Sequence, residues 1–276
     1  MTYEGYEALR IDVVDGVGTV TIDHPPINLF DLTLYMEMAR LSAELAADAD
    51  VRVVVLRSAN PEFFIAHFDV AVILELPTGL PEPTELNDFH AMCERFRTMP
   101  KATIAVIEGR VGGGGSELTL SCDMRFAALG RAVFNQPEVA LGIIPGGTGT
   151  QRLPRLMGRS RALEAILGCD DVDAALAERW GWVNRALPAG ELWPFIERLS
   201  GRIASFPPHA VAAAKASVLL AEKDIGTDLL AEAALFNGTL SEPAARQAMQ
   251  RFLAGGGQTR DGEVRLGSLI EELGTT

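Results

Sequence analysis

Ile107-Glu-Gly-Arg-Val-Gly-Gly-Gly-Gly-Ser-Glu117 is the stretch on which the fold turns. It closes an apolar run, Ala102 to Ile107, that reads as a short buried strand. Gly112 to Gly115 follow, and Ser116, Glu117 and the apolar Leu118, Thr119 and Leu120 then open a helix. A strand, a glycine turn and a helix start leave free backbone N–H groups at the positive end of a helix dipole. Such a turn can polarise an oxygen that gains negative charge, and without Cβ atoms a ligand can come close to the backbone. Taken alone, the run reads equally well as a tight turn, because a lone glycine-rich loop is a weak signal.

Outward from this run, the chain alternates strands and helices. Apolar runs at 8–14 and 17–22 flank Asp15-Gly16, a hairpin signal. Asp31 offers a helix N-cap, with Leu34, Met38, Leu41 and Leu45 on one helical face. Residues 51–56 form a β-branched run that predicts a strand buried on both faces. Residues 61–69 read as an unusually aromatic loop, and 76–83, with three prolines and a glycine, as exposed and irregular. Leu86, Phe89, Cys93 and Phe96 stripe the next helix, and further strands are expected at 124–128 and 132–134. A second glycine-rich loop, Ile144 to Thr150, runs into a helix at 151–157. Beyond residue 160 the pattern is almost all helical, with helices expected at 160–167, 171–181, 191–206, 208–222 and 241–253 and an amphipathic end carrying Leu266, Leu269, Ile270 and Leu273. The reading is an α/β body, residues 1–190, and a helical C-terminal region, residues 191–276.

Composition narrows the function. The net charge of −13 disfavours nucleic acid as a partner. It also requires any polyanionic ligand to be met by locally placed Arg, Lys or N–H groups. Cys93, Cys122 and Cys169 are odd in number and far apart, which argues against both a disulfide framework and a zinc site. With no basic, apolar leader and no run of membrane-spanning length, the expectation is a cytoplasmic protein without membrane contact. The four histidines lack metal-ligand spacing, so no metal is expected. Neither glycine loop is followed by the Lys of a P-loop, and Gly114-Gly115-Ser116-Glu117-Leu118 lacks the last glycine of a nucleophile elbow. Two carboxylates remain, Glu117 at the helix start and Glu138 after Pro137. Such a pair can hold a water and move protons to and from carbon, although each taken singly reads as well as a helix cap or a solvated loop residue.

Gly109 to Glu117, Gln136-Pro137-Glu138 and Ile144-Pro-Gly-Gly-Thr-Gly-Thr-Gln-Arg-Leu153 together resemble the crotonase (enoyl-CoA hydratase/isomerase) family, in order along most of the chain. The resemblance implies a crotonase-like spiral of ββα units carrying two backbone N–H groups for an acyl-CoA thioester oxygen. By position these are Phe68 and Gly114, with Ala66, His67, Asp69 and Gly113 as substrate-binding neighbours. Glu117 and Glu138 stand where the hydratases have their catalytic carboxylates. The implied activity is hydration of a trans-2-enoyl-CoA, with Glu138 delivering the proton to the α-carbon. No cofactor is implied, since coenzyme A is part of the substrate. The relatives that share these features also include isomerases, thioester hydrolases and inactive acyl-CoA binders. The resemblance further implies a homotrimer or dimer of trimers, with subunits packing through the helical C-terminal region. Two features depart from the family pattern. His67 and Phe68 replace small residues, His67 standing where a glycine is usual, and the ending from Gln258 onward differs.

Overall fold

Asp15 and Gly16, at φ 50° and 82°, turn the chain between β1 (Leu9–Val14) and β2 (Val17–Ile22), as a two-residue hairpin requires. The structure is a computed structural model that describes residues 2–222 and 225–274. The chain then repeats one unit three times: a strand for a large sheet, a strand for a small one, then helix. The pairs are β3 (Val53–Ser58) with β4 (Phe63–Ile65), β5 (Ala102–Ile107) with β6 (Arg110–Gly112), and β7 (Met124–Ala128) with β8 (Val133–Asn135). With β9 (Val172–Asp173) and β10 (Arg185–Leu187), the large sheet runs β1-β2-β3-β5-β7-β10 and the small one β4-β6-β8-β9. All pairings except β1–β2 and β8–β9 are parallel. This is the α/β spiral of ββα units with a helical C-terminal region.

The large sheet is covered on both faces, which explains its continuous apolar strands. Val54, Leu56, Ala105 and Ile107 face Leu34, Met38, Leu41 and Leu45 of helix Leu32–Ala47 and Cys93 and Phe96 of helix Asp88–Thr98. Val53, Val55, Ile104 and Val106 face Leu192 and Ile196 of helix Ala189–Ala204. Each such Leu, Ile or Met side chain contributes roughly 1.5–3 kcal/mol by burial. The Asp31 carboxylate accepts from the Leu34 N–H at 3.0 Å, capping the helix that starts at Leu32.

The aromatic stretch 61–69 holds the short strand β4, fully buried, where a loop was expected. Its carbonyls at Phe63 and Phe64 accept from the side chain of buried Asn28, at 3.2 and 3.0 Å. Helix Ile225–Leu240 was not expected from the sequence. Ala245, Met249 and Phe252 of helix Pro243–Ala254, with Leu266, Leu269 and Leu273 of helix Leu266–Gly274, pack onto Val70, Ile73, Leu141 and Ile143. The C-terminal segment thus closes over the loops that follow the small sheet. Among the described residues no helix is long and apolar enough to cross a membrane.

Candidate active site

In the parallel ladder β4-β6-β8 the three C-terminal ends lie side by side, and open parallel sheets bind ligands at that edge. Phe68 follows β4, Gly113 and Gly114 follow β6, and Glu138 follows β8. Residues scattered over 70 positions of sequence therefore meet at one edge because each closes the same step of the spiral.

Phe30 donates its N–H to the His67 carbonyl at 2.9 Å and accepts from the Asp69 N–H at 3.1 Å, forming a parallel bridge to Phe68. In this pattern the N–H of Phe68 itself faces away from Phe30. Gly114 is the second residue of helix Gly113–Leu120, so its N–H lies in the first turn, which lacks intrahelical acceptors. A Cβ at Gly114 would sit 3.1 Å from the Cβ of Phe68, so the two peptides adjoin. The helix starts at Gly113, inside the glycine run and not after it as the sequence reading expects, and Gly113 has φ +45°. A Cβ there would lie 3.0 Å from Glu138 Oε1 and 3.1 Å from the Cβ of His67. Glycine is needed on both counts.

Glu117 and Glu138 are 4% and 8% exposed. Glu117 Oε1 accepts from the N–H groups of Gly147 and Gly149, at 2.8 and 2.7 Å, so the second glycine loop clamps this carboxyl. Gln136 donates to Glu138 at 3.2 Å. Burial, reinforced by the charges of Glu138 and Glu232, holds the Glu117 carboxyl well above its usual range, against the pull of the Gly149 and Gly147 amides. Burial also pushes Glu138 up to about 7, against its own backbone amide and the nearby charge of His67. Like charges in a dry site do not ionise together easily, which is how the charge of Glu138 adds to the rise at Glu117.

Ala66 packs with Ile27 and Phe63 behind this edge, and Asp69 caps helix Val70–Leu74 through the Ala71 N–H, so neither side chain reaches the carboxyls. His67 is buried and lies outside the left-handed region, so it carries none of the backbone strain that a residue in place of glycine could have met. The ring of Phe68 joins Phe30, Tyr35 and Phe89 in an aromatic cluster beside the Gly114 amide.

Three residues that sequence reasoning missed complete the arrangement. Glu232, fully buried on helix Ile225–Leu240, accepts from the Thr148 N–H at 2.7 Å and from the Thr150 hydroxyl, with His90 Nε2 at 3.3 Å. Thr148 has φ 115°, an unfavourable angle for a β-branched residue, and lies between the two amides that hold Glu117. Glu232 therefore clamps the loop that orients Glu117. The signal was a single Glu amid the apolar residues of 229–240. Glu263, 1% exposed, meets His67 Nε2 at 3.1 Å, and Gln136 serves Glu138. Among the described residues no three His, Cys, Asp or Glu side chains are grouped to hold a metal ion. A cavity of about 450 Å³ opens elsewhere, against Lys101, Pro208 and His209, and contains none of these residues.

The sequence profile of the family described as enoyl-CoA hydratase/isomerase matches residues 12–257. The short-chain-enoyl-CoA hydratase of Clostridium acetobutylicum is 33% identical over 243 residues, 86% of this chain and 91% of its own length. The crotonyl-CoA hydratase of Syntrophomonas wolfei is 32% identical over 254 residues, 90% of this chain and 95% of its own. A crystallised protein of Streptomyces avermitilis, provisionally assigned as an enoyl-CoA hydratase, superposes with a TM-score of 0.90 and 39% identity over 99% of this chain and 100% of that one. Sequence and fold agree, and the chain belongs to the crotonase, or enoyl-CoA hydratase/isomerase, family.

Proposed function

We propose that the protein is an enoyl-CoA hydratase, adding water across the double bond of a trans-2-enoyl-CoA to give a 3-hydroxyacyl-CoA. The observation that carries this reading is the convergence of two buried carboxyls, Glu117 and Glu138, on the edge where the Phe68 and Gly114 peptides adjoin.

The chemistry needs one carboxylate and one carboxylic acid. The water oxygen forms a bond to C3, and the C2=C3 electron pair moves toward C1, so that the thioester oxygen gains negative charge. The N–H groups of Phe68 and Gly114 are the donors for that oxygen, each worth ~10²–10³ in rate in comparable sites. The proton of the attacking water passes to Glu117. Glu138 gives its proton to C2, and the enolate electron pair forms the C2–H bond. The pair starts and ends with one proton, on opposite members, and exchange with solvent resets it.

A carboxyl that titrates at about 7 can release and regain a proton at neutral pH, which suits Glu138 as the donor. When Glu138 holds the proton, its share of the rise at Glu117 is gone, and burial and the charge of Glu232 remain for the loop amides to offset. The two amides on Glu117 Oε1 then stabilise its anion, leaving Oε2, which neither amide engages, to take the water proton.

The test is hydration of crotonyl-CoA, followed by loss of the conjugated thioester absorbance. Glu117→Gln and Glu138→Gln are each expected to lose roughly 10²–10⁴ in rate. Undiminished turnover in both variants refutes the two-carboxyl mechanism. No turnover of the wild type on any chain length refutes the hydratase and favours an isomerase, a thioester hydrolase or a binding protein. The homotrimer or dimer of trimers belongs to the same proposal and is tested by sedimentation.

A further inference from the structure

His67 stands at the site with both ring nitrogens engaged by acceptors. Nδ1 is 2.8 Å from the Phe68 carbonyl oxygen and Nε2 is 3.1 Å from Glu263 Oε1. Neither a carbonyl nor a carboxylate can donate, so each nitrogen must carry a proton for both bonds to form. The ring is therefore an imidazolium. Burial alone would pull its proton off, but the Glu263 carboxylate, the Phe68 carbonyl and Glu138 together keep its affinity for the proton above the ordinary value. Glu263 is matched to the task. It is held well ionised by His67 against the effect of burial, and its Oε1 also accepts from the Gln258 N–H at 2.7 Å.

A buried His–Glu pair is a weak device for stability, since apolar residues of similar volume often do as well. Its position is more informative. The Cβ of His67 and Oε1 of Glu138 lie 3.1 and 3.0 Å from one point, the place of an absent Cβ on Gly113. The bond from the ring to the carbonyl of Phe68 spans the peptide that carries the Phe68 N–H. We propose that His67, held as an imidazolium by Glu263 of the C-terminal segment, is a positioning residue that keeps a positive charge beside Glu138 and fixes the peptide of the Phe68 donor. The proposal rests on the reading of Glu138 and Phe68 as site groups.

The charged surroundings support this assignment. Glu138 follows β8, Glu117 lies on helix Gly113–Leu120 and Glu232 on helix Ile225–Leu240, which makes three buried carboxyls in one neighbourhood. Arg110, on β6, is paired with Asp171 at 2.6 Å. Asp69, beside His67 in sequence, accepts from the Gln258 side chain and the Ala71 amide. From helix Pro243–Ala254 the neighbour of His67 is the uncharged ring of Phe252, at 5.6 Å between centroids. His67 thus brings positive charge to a cluster of buried carboxyls, and that charge loosens the hold of Glu138 on its proton.

The experiment follows the two groups by NMR, independently of turnover, and adds the pH profile of crotonyl-CoA hydration. In the wild type, the imidazole ¹⁵N shifts of His67 are expected to report two protonated nitrogens between pH 6 and 8. In His67→Gln the carboxyl ¹³C titration of Glu138 should move up by roughly one pH unit or more, as for loss of a unit charge at close range. Because Glu138 acts in its protonated form, the alkaline limb of kcat/KM should move with it. Glu263→Gln should shift Glu138 in the same direction, and the double variant should add little to His67→Gln. A neutral His67 in the wild type, or an unmoved Glu138 titration in either single variant, overturns the proposal. Should His67→Gln not fold, Glu263→Gln decides the question alone. If the wild type hydrates no enoyl-CoA, the hydratase reading fails while the titrations still decide this one.

Discussion

Glu138→Gln removes an ionisable carboxyl from a dry site while leaving its shape nearly unchanged, so its effects on catalysis and stability separate by pH. The folded protein holds the Glu138 proton to about pH 7, whereas the unfolded chain releases it near the ordinary 4.5. The group's folded pKa is raised. Its contribution to stability is therefore fully present below 4.5 and is lost as pH rises through about 7. At 1.36 kcal/mol per pH unit, the wild type gives up roughly 3 kcal/mol on ionising this carboxyl in place. Glutamine has no such ionisation. Its amide oxygen can still accept from Gln136, and removal of the charge also relieves Glu117. The variant should gain little at pH 4.5, gain progressively to pH 8, and then level off at about 3 kcal/mol, or ~6–10 °C in Tm. Urea titrations from pH 4.5 to 8.5, with calorimetry at both ends, measure the difference. Over the same range crotonyl-CoA hydration should be down by ~10²–10⁴. A gain that does not depend on pH, or a variant less stable than the wild type at pH 8.5, refutes the argument that burial holds this carboxyl up.

Gly147→Ala would bring a Cβ to 2.5 Å from Glu117 Oε2 and 2.6 Å from the Phe89 ring. It should lower kcat by roughly tenfold or more through misplacement of Glu117, read by steady-state hydration kinetics with circular dichroism to verify folding. Asn28→Ala removes one donor from each of the Phe63 and Phe64 carbonyls and the Ser58 hydroxyl, of which Phe63 keeps the Ser58 hydroxyl and Ser58 the Asn60 N–H, and places alanine at φ 48°. A loss of roughly 3 kcal/mol is expected by urea denaturation, with reduced turnover because the segment leading to Phe68 loosens. Glu232→Gln removes a negative charge that raises both Glu117 and Glu138. The pH profile of hydration should move toward acid, opposite in sign to His67→Gln, and a shift toward alkali would contradict the charge cluster described here.

Local chemistry made much of the fold legible. Asp15-Gly16 specified the hairpin, Asp31 the cap, and the doubly apolar 51–56 a strand covered on both faces, because in each case the decisive interaction lies within a few residues. Strand β4 was hidden, since three residues buried on both sides show no alternation and Phe-Phe-Ile reads equally as a hydrophobic loop. Helix Ile225–Leu240 was hidden too, with Gly226 and Gly238 near its ends and apolar residues around much of its circumference. Its loss from the sequence reading also removed Glu232, whose purpose is set by a loop 84 residues away.

His67 and the ending from Gln258 onward stand apart in the sequence as two separate departures from the family pattern, and the physics of burial joins them. A histidine ring with both nitrogens facing acceptors in a dry site is a cation, and a buried cation requires a carboxylate. No neighbour in sequence supplies it: Asp69 turns to cap the next helix, and Glu138 is committed to the site. Glu263, 196 residues on, does so from the segment that departs from the pattern. A charged residue in place of a glycine at the buried end of a strand therefore predicts a compensating charge of opposite sign somewhere in the chain. The place to look is the other stretch that the family pattern does not explain.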